Sequence, residues 1–251
     1  MSQTERIRER LIDEGYEELQ RPPSPMEFSG HPEADQLVND VDHYPHAFVL
    51  ACLADRQIRT ERAWSMPFEI RRRLGSFEFD DLAQLAESDW LQLLSGPPSL
   101  HRFPERMAEV LHRAVDRIGA RYEGYAAHIW LDKPSSATLV RRFLEFHGAG
   151  PKIATMAANL LVRYFHVPLR DYRYIDISAD THIRRVMSRL GFVEDGASTE
   201  VVVYAAREAS PDFPGVFDLV LWTLGREICR PARPRCDECR WIDDCAYAST
   251  R

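Results

Sequence analysis

An all-α fold follows from three features of this chain. Apolar residues recur at helical spacing, as in Ile153, Met156, Ala157, Leu160, Leu161 and Tyr164, which fall at i, i+3, i+4, i+7, i+8 and i+11. Glycine and proline punctuate those runs where helices would end or begin. Outside ambiguous stretches such as Val201–Ala206 (VVVYAA), nothing demands a sheet.

In chain order, a polar amphipathic helix is expected over Thr4–Leu19, closed by the Arg21-Pro22-Pro23-Ser24-Pro25 linker. A strongly apolar helix is expected over His46–Ile58. Shorter helices are expected at Pro67–Leu74, Phe79–Glu87 and Asp89–Leu94, then a loop from Ser95 to Pro104 and a helix over Glu105–Gly119. Residues 121–134 have no clear period. Ser135 or Ser136 is placed to cap the next helix, whose apolar face is Leu139, Val140, Phe143, Leu144 and Phe146. After an irregular stretch at 166–178, Asp180 opens a helix to Leu190, with Gly191 as its stop. The last helices are expected at Ser198–Ala209 and Phe217–Ile228.

The turn His147-Gly148-Ala149-Gly150 joins two of these helices. Pro151 suits the first helical position, where its missing N–H would lack a partner anyway. Gly148 and Gly150 keep side chains away from a helix N-terminus, a place whose N–H groups suit a phosphate oxygen. Lys152 sits just inside that helix. Its bland alternative is a solvated lysine beside a tight turn. Arg141, Arg142, Lys152 and Arg163 face only Glu145 between Thr138 and Arg163, and read as a local basic face. The net charge of −7 argues against wholesale nucleic-acid binding but not against such a face.

The 251 residues allow one sizeable core or two modest ones. No apolar run approaches the roughly 20 residues of a bilayer span. The charged N-terminus lacks a signal-peptide core, so a cytoplasmic protein, nucleoid-associated and without membrane contact, is expected. Four of the five cysteines fall in the last 23 residues, as Cys229-x6-Cys236-x2-Cys239-x5-Cys245. Clustered cysteines in a cytosolic chain point to a metal before disulfides. Four thiolates can hold a [4Fe–4S] cluster. Structural zinc also accepts four cysteines but usually pairs them at x2–4 spacing, which only the middle pair has.

HGAGPK at 147–152, ADTHIRRV at 179–186 and the cysteine pattern together resemble the helix-hairpin-helix DNA glycosylases of the endonuclease III type. The resemblance implies two lobes: six helices over 42–167 containing the hairpin at about 139–165, and a cluster lobe from 1–41 and 168–251 with its cysteine loop at 229–245. It implies a [4Fe–4S] cluster on Cys229, Cys236, Cys239 and Cys245, with Lys152 as nucleophile and Asp180 as the essential aspartate. It implies contact with double-stranded DNA carrying a damaged, modified or abasic nucleotide, through Gly148, Gly150, Gln57, Arg184 and a wedge at Leu100 or Phe103. A monomer is expected. His182 reads as structural, and Asp180 doubles as a helix N-cap.

The implied chemistry is base excision. The base is flipped out, Lys152 attacks the sugar to form a Schiff base, and β-elimination follows. The alternatives are a monofunctional glycosylase, in which Asp180 activates water and Lys152 only binds phosphate, and a silent module that binds damaged DNA. Twenty-seven residues separate Lys152 from Asp180, a longer gap than the family pattern, and Asp171 and Asp176 inside it are weaker rivals for the aspartate. That departure leaves the excised base open.

Overall fold

The computed structural model describes residues 2–250. Every regular element among them is helical: twelve α-helices with short 3₁₀ turns between them. They are α1 (Gln3–Gln20), α2 (Pro32–Asn39), α3 (Pro45–Ala54), α4 (Thr60–Leu74), α5 (Phe79–Ala83), α6 (Glu87–Ser95), α7 (Pro104–Tyr122), α8 (Ser136–Leu144), α9 (Pro151–Tyr164), α10 (Thr181–Leu190), α11 (Thr199–Ala209) and α12 (Asp218–Glu227).

Local chemistry sets several boundaries. Ser2 and Glu5 form a capping box at the start of α1, each side chain bonding the other's backbone N–H. Ser135, not Ser136, caps α8 by accepting from the Thr138 N–H at 3.1 Å. Gly191 ends α10 in the left-handed region at φ 89°. The VVVYAA run is helical, because Val202 and Ala206 bury one face of α11 and tertiary packing overrides β propensity.

Three expected boundaries change, one of them at the helix expected over Phe79–Glu87, which ends at Ala83. α3 stops at Ala54 rather than Ile58. The helix expected from Pro67 begins instead at Thr60 and runs through that proline. An interior proline costs about 3 kcal/mol. The burial of Ala63, Trp64, Met66 and Ile70 along the same face offsets it. α2 escaped the sequence reading altogether: only eight residues long, it carries proline at its first position and buries Ala34, Leu37 and Val38.

Two hydrophobic cores result. The first gathers Met26, Phe28 and α2 with the buried faces of α3 to α9, and ends at Val167 and Ile175. The second joins Ile7 and Leu11 of α1 to Ile177, α10, α11, α12, Trp241 and Cys245. The chain ends thus meet in one core, as Arg6 and Asp244 also show at 2.6 Å. Residues 26–39 pack in the first core, however, so the assignment of 1–41 to the other lobe is too long. The irregular 166–178 stretch carries the chain from one core to the other: Ile175 is buried in the first and Ile177 in the second.

The expected basic face is largely spent within the fold. Arg142 pairs with Asp132 through two bonds of 2.7 Å, and Arg141 pairs with Glu145. Arg163 is buried, its guanidinium donating to the Gly215 and Val216 carbonyls.

Gly225 lets α12 approach α10. A Cβ there would lie 2.8 Å from His182 Cβ and 3.0 Å from its carbonyl oxygen. Gly225→Val should therefore lower unfolding stability by about 1–3 kcal/mol, measured by denaturant titration.

Candidate functional site

Asp55, Thr60, Trp64, Lys152, Met156, Leu160, Ser178, Asp180, Asp218 and Trp222 are among the residues that line one cleft of about 380 Å³. It lies along the seam between the two cores. Lys152 comes from the first and Asp180 from the second, so the fold brings the two predicted residues to the same cavity.

The hairpin positions the lysine. Leu139 and Phe143 of α8 are fully buried, each contributing roughly 1.5–3 kcal/mol. The turn follows with Gly148 at φ 79°, a left-handed conformation that suits glycine. A Cβ at Gly148 would also lie 2.7 Å from Arg56 Nη1 and 2.9 Å from Val110 Cγ2. Arg56 secures the turn by donating to the Gly148 carbonyl at 2.6 Å. Gly150 is the N-cap of α9 in extended backbone, Pro151 follows, and no side chain caps that helix. Its first-turn N–H groups are left to whatever the hairpin meets.

Lys152 is half-buried. Nζ donates to Asp55 Oδ2 at 3.0 Å and to the Asp55 carbonyl at 3.1 Å, and lies 3.4 Å from Met156 Sδ. All three ammonium donors thus have an acceptor. Asp55, at the C-terminal end of α3, drew no attention in the sequence. Its signal was a carboxylate closing the otherwise apolar PHAFVLACLA run.

Asp180 is the N-cap of α10. Its Oδ1 accepts from the His182 and Ile183 N–H groups, both at 2.8 Å. Both cap bonds fall on one oxygen, which leaves Oδ2 for the cleft. The rivals are committed elsewhere: Asp171 accepts from the Ser136 N–H, and Asp176 holds Arg207 through two bonds of 2.7 and 2.8 Å.

A second carboxylate, Asp218, opens α12 in the same cleft and was also missed. It is buried, and Oδ1 accepts from the Ser178 N–H. Burial pushes its carboxyl up from 3.8 to about 6, against the pull of the Ser178 amide and Arg163. Its sequence signal was weak: one aspartate at the head of the apolar FDLVLW stretch.

The other predicted contacts divide. Gln57 is exposed at φ 57°, in a groove with Thr60, His182, Arg226 and Arg230, and Thr60 borders both this groove and the cleft. Leu100 does not suit a wedge: it is only 5% exposed and packs in the first core. Its burial follows from the loop doubling back, where the Leu100 N–H bonds the Leu94 carbonyl at 2.7 Å. Phe103, the other wedge candidate, is 39% exposed. Arg184 donates to the Ala197 carbonyl at 2.8 Å, which ties it to the loop after α10 rather than to the cleft. His182 packs against Gly225 and Trp222.

The four C-terminal cysteines line a second cavity of about 370 Å³, with Val186, Leu190, Leu224 and Ile242. Burial, and further the other three sulfurs, push the Cys239 thiol up, against the pull of a hydrogen bond from the Trp241 backbone. Among the described residues no three metal-binding side chains close on a single ion. Four thiolates lining one cavity are a donor set that iron and zinc both accept. Arg189 donates to Cys229 Sγ at 3.4 Å and to the Arg230 and Pro231 carbonyls at 2.7 and 2.8 Å, bracing the loop. Arg235 and Arg240 of that loop pair with Glu238 and Glu14.

A family model for the HhH-GPD superfamily base excision DNA repair proteins matches residues 50–211. An endonuclease III from Thermotoga maritima is 25% identical over 196 residues, 78% of each chain. One from Sulfolobus acidocaldarius is 35% identical over 83 residues, 32% of this chain and 37% of that one. The fold is similar to that in a non-covalent endonuclease III–DNA complex, with TM-score 0.63, 18% identity, and coverage of 100% of this chain and 99% of that one. It is also similar to a thermostable thymine-DNA glycosylase, with TM-score 0.61, 15% identity, and 97% of each chain covered.

Asp218 makes stability depend on pH. Its folded pKa of about 6 exceeds the unfolded 3.8, so the folded state takes up the proton first. Wild type should gain stability relative to Asp218→Asn as pH falls through 6 toward 3.8, by up to roughly 3 kcal/mol. Urea unfolding of both proteins across that range measures the difference.

Proposed function

Because the chain belongs to the HhH-GPD superfamily of base excision DNA repair proteins, we propose that its cleft removes a damaged or modified base from DNA and cleaves the resulting abasic site. The observation that carries the reading is the shared cavity of Lys152 and Asp180, reached from two different cores.

Flipping the base costs a few kcal/mol, least at a damaged pair. The uncapped start of α9, with Gly148 and Gly150 before it, would receive a backbone phosphate. Phe103 is the exposed apolar side chain suited to holding open the vacated stack. With the target sugar in the cleft, Lys152 leaves Asp55, gives up a proton and attacks C1′ as a free amine. The C1′–N bond breaks and the base departs, taking up a proton; the C1′–O4′ bond then opens, O4′ takes the proton that Nζ releases, and a Schiff base to Nζ remains. Loss of a C2′ proton then drives β-elimination and strand scission. Asp180 Oδ2 stabilises positive charge on the sugar or passes the proton.

Cys229, Cys236, Cys239 and Cys245 fit a [4Fe–4S] cluster and would hold it against α10 and α12. When bound, it would fix the C-terminal loop, where Trp241 and Cys245 are the buried residues between 229 and 245.

Borohydride should trap a covalent adduct between the protein and a duplex with one abasic site. Lys152→Ala abolishes the adduct, and Asp180→Asn slows base release roughly 100-fold or more. Free base without strand cleavage would instead select the water-activating course, and no release from any lesion in a panel would leave only a binding module. Separately, Cys239→Ser should lose visible absorbance and most of about four irons per chain. Its thermal midpoint should also fall, read by iron assay and calorimetry.

A further inference from the structure

Asp180 does not reach the cleft by helix geometry alone. The segment before it, Ile177-Ser178-Ala179, is buried. Ala179 has φ 31°, a positive value that a residue with a Cβ seldom adopts. Such backbone costs of order 1–3 kcal/mol and persists only where its surroundings hold it. Among the contacts that tie this segment down, one comes from the other wall of the cleft next to the strained residue: the Ser178 N–H donates to Asp218 Oδ1. Neither this bond nor the carboxylate that makes it is needed to start α10, whose cap is Asp180 itself.

We infer that Asp218 is a positioning residue for Asp180, clamping the turn that aims the Asp180 carboxylate into the cleft; this rests on the role proposed for Asp180 above. An ionised carboxylate makes the clamp stronger, since a charge-assisted bond is roughly twice as strong as a neutral one. Protonation keeps the bond but weakens it, and the strained turn is then freer to relax. Burial places that protonation near 6. Arg163 of α9 favours the ionised clamp, and Asp180 opposes it. Lys152 of α9 and Asp55 at the end of α3 line the same cleft.

The test follows Schiff-base trapping of the full chain on a duplex with a single abasic site, under single turnover, from about pH 5 to about pH 8. Wild type should show an inflection near 6. Asp218→Asn keeps the acceptor oxygen without the charge, so it should react about tenfold slower at neutral pH and lose that inflection. Asp218→Ala should be about 100-fold slower with DNA affinity unchanged. Hydrogen exchange without DNA should show the Ser178 amide losing protection in Asp218→Ala while neighbouring α10 amides keep theirs. An Asn variant that retains the inflection, or an Ala variant with wild-type rate and a protected Ser178, overturns the inference. Should the Ala variant not fold, the Asn profile decides. Should wild type form no adduct, the reading of Lys152 falls, while exchange at Ser178 still decides whether the clamp exists.

Discussion

The site depends on a seam between two separately packed cores. A single core would bury Lys152 and Asp180 beside one another or expose both. Here the chain crosses from one core to the other between Ile175 and Ile177, each buried on its own side. The Asn159 side chain stitches the crossing to α9 by donating to the Asp176 carbonyl at 2.9 Å. That crossing fixes how the lysine wall and the aspartate wall face each other, and it leaves a gap between them that neither core fills. The long stretch between the two motifs is therefore a structural bridge.

Charge is distributed to match. Most arginines near the hairpin are consumed by carbonyls or carboxylates of the fold: Arg56 by Gly148, Arg142 by Asp132, Arg163 by Gly215 and Val216. They hold loops in place rather than forming a broad basic surface. With a net charge of −7, attraction to a polyanion rests on a few local donors, chiefly the start of α9. Three carboxylates, Asp55, Asp180 and Asp218, line the cleft with one lysine, which Asp55 holds. Such an excess of negative charge suits a reaction in which positive charge grows on a sugar.

Much of this was legible in the residues. The hairpin, its proline start, the cap at Asp180 and the cysteine spacing are local, short-range patterns, and the helices they define appear where expected. What the sequence concealed depends on tertiary contact. Leu100 reads as a loop residue until the loop folds back onto Leu94 and buries it. Arg163 reads as surface charge until the turn at 214–217 closes over it. Asp55 and Asp218 carry no motif, and matter only because α3 ends and α12, far from it in sequence, begins at the cleft. α2 was missed because eight residues are too few for periodicity to show.

If Asp180 has the role proposed for it, folding and chemistry would fall to different oxygens of one side chain. Oδ1 begins a helix, while Oδ2 takes no part in the cap and is the oxygen to which the proposed chemistry falls. A genetic screen for inactive variants would recover this position for two unrelated reasons, and most replacements would confound them. Asparagine is the informative exception, because its carbonyl oxygen can still start the helix while the negative charge is gone.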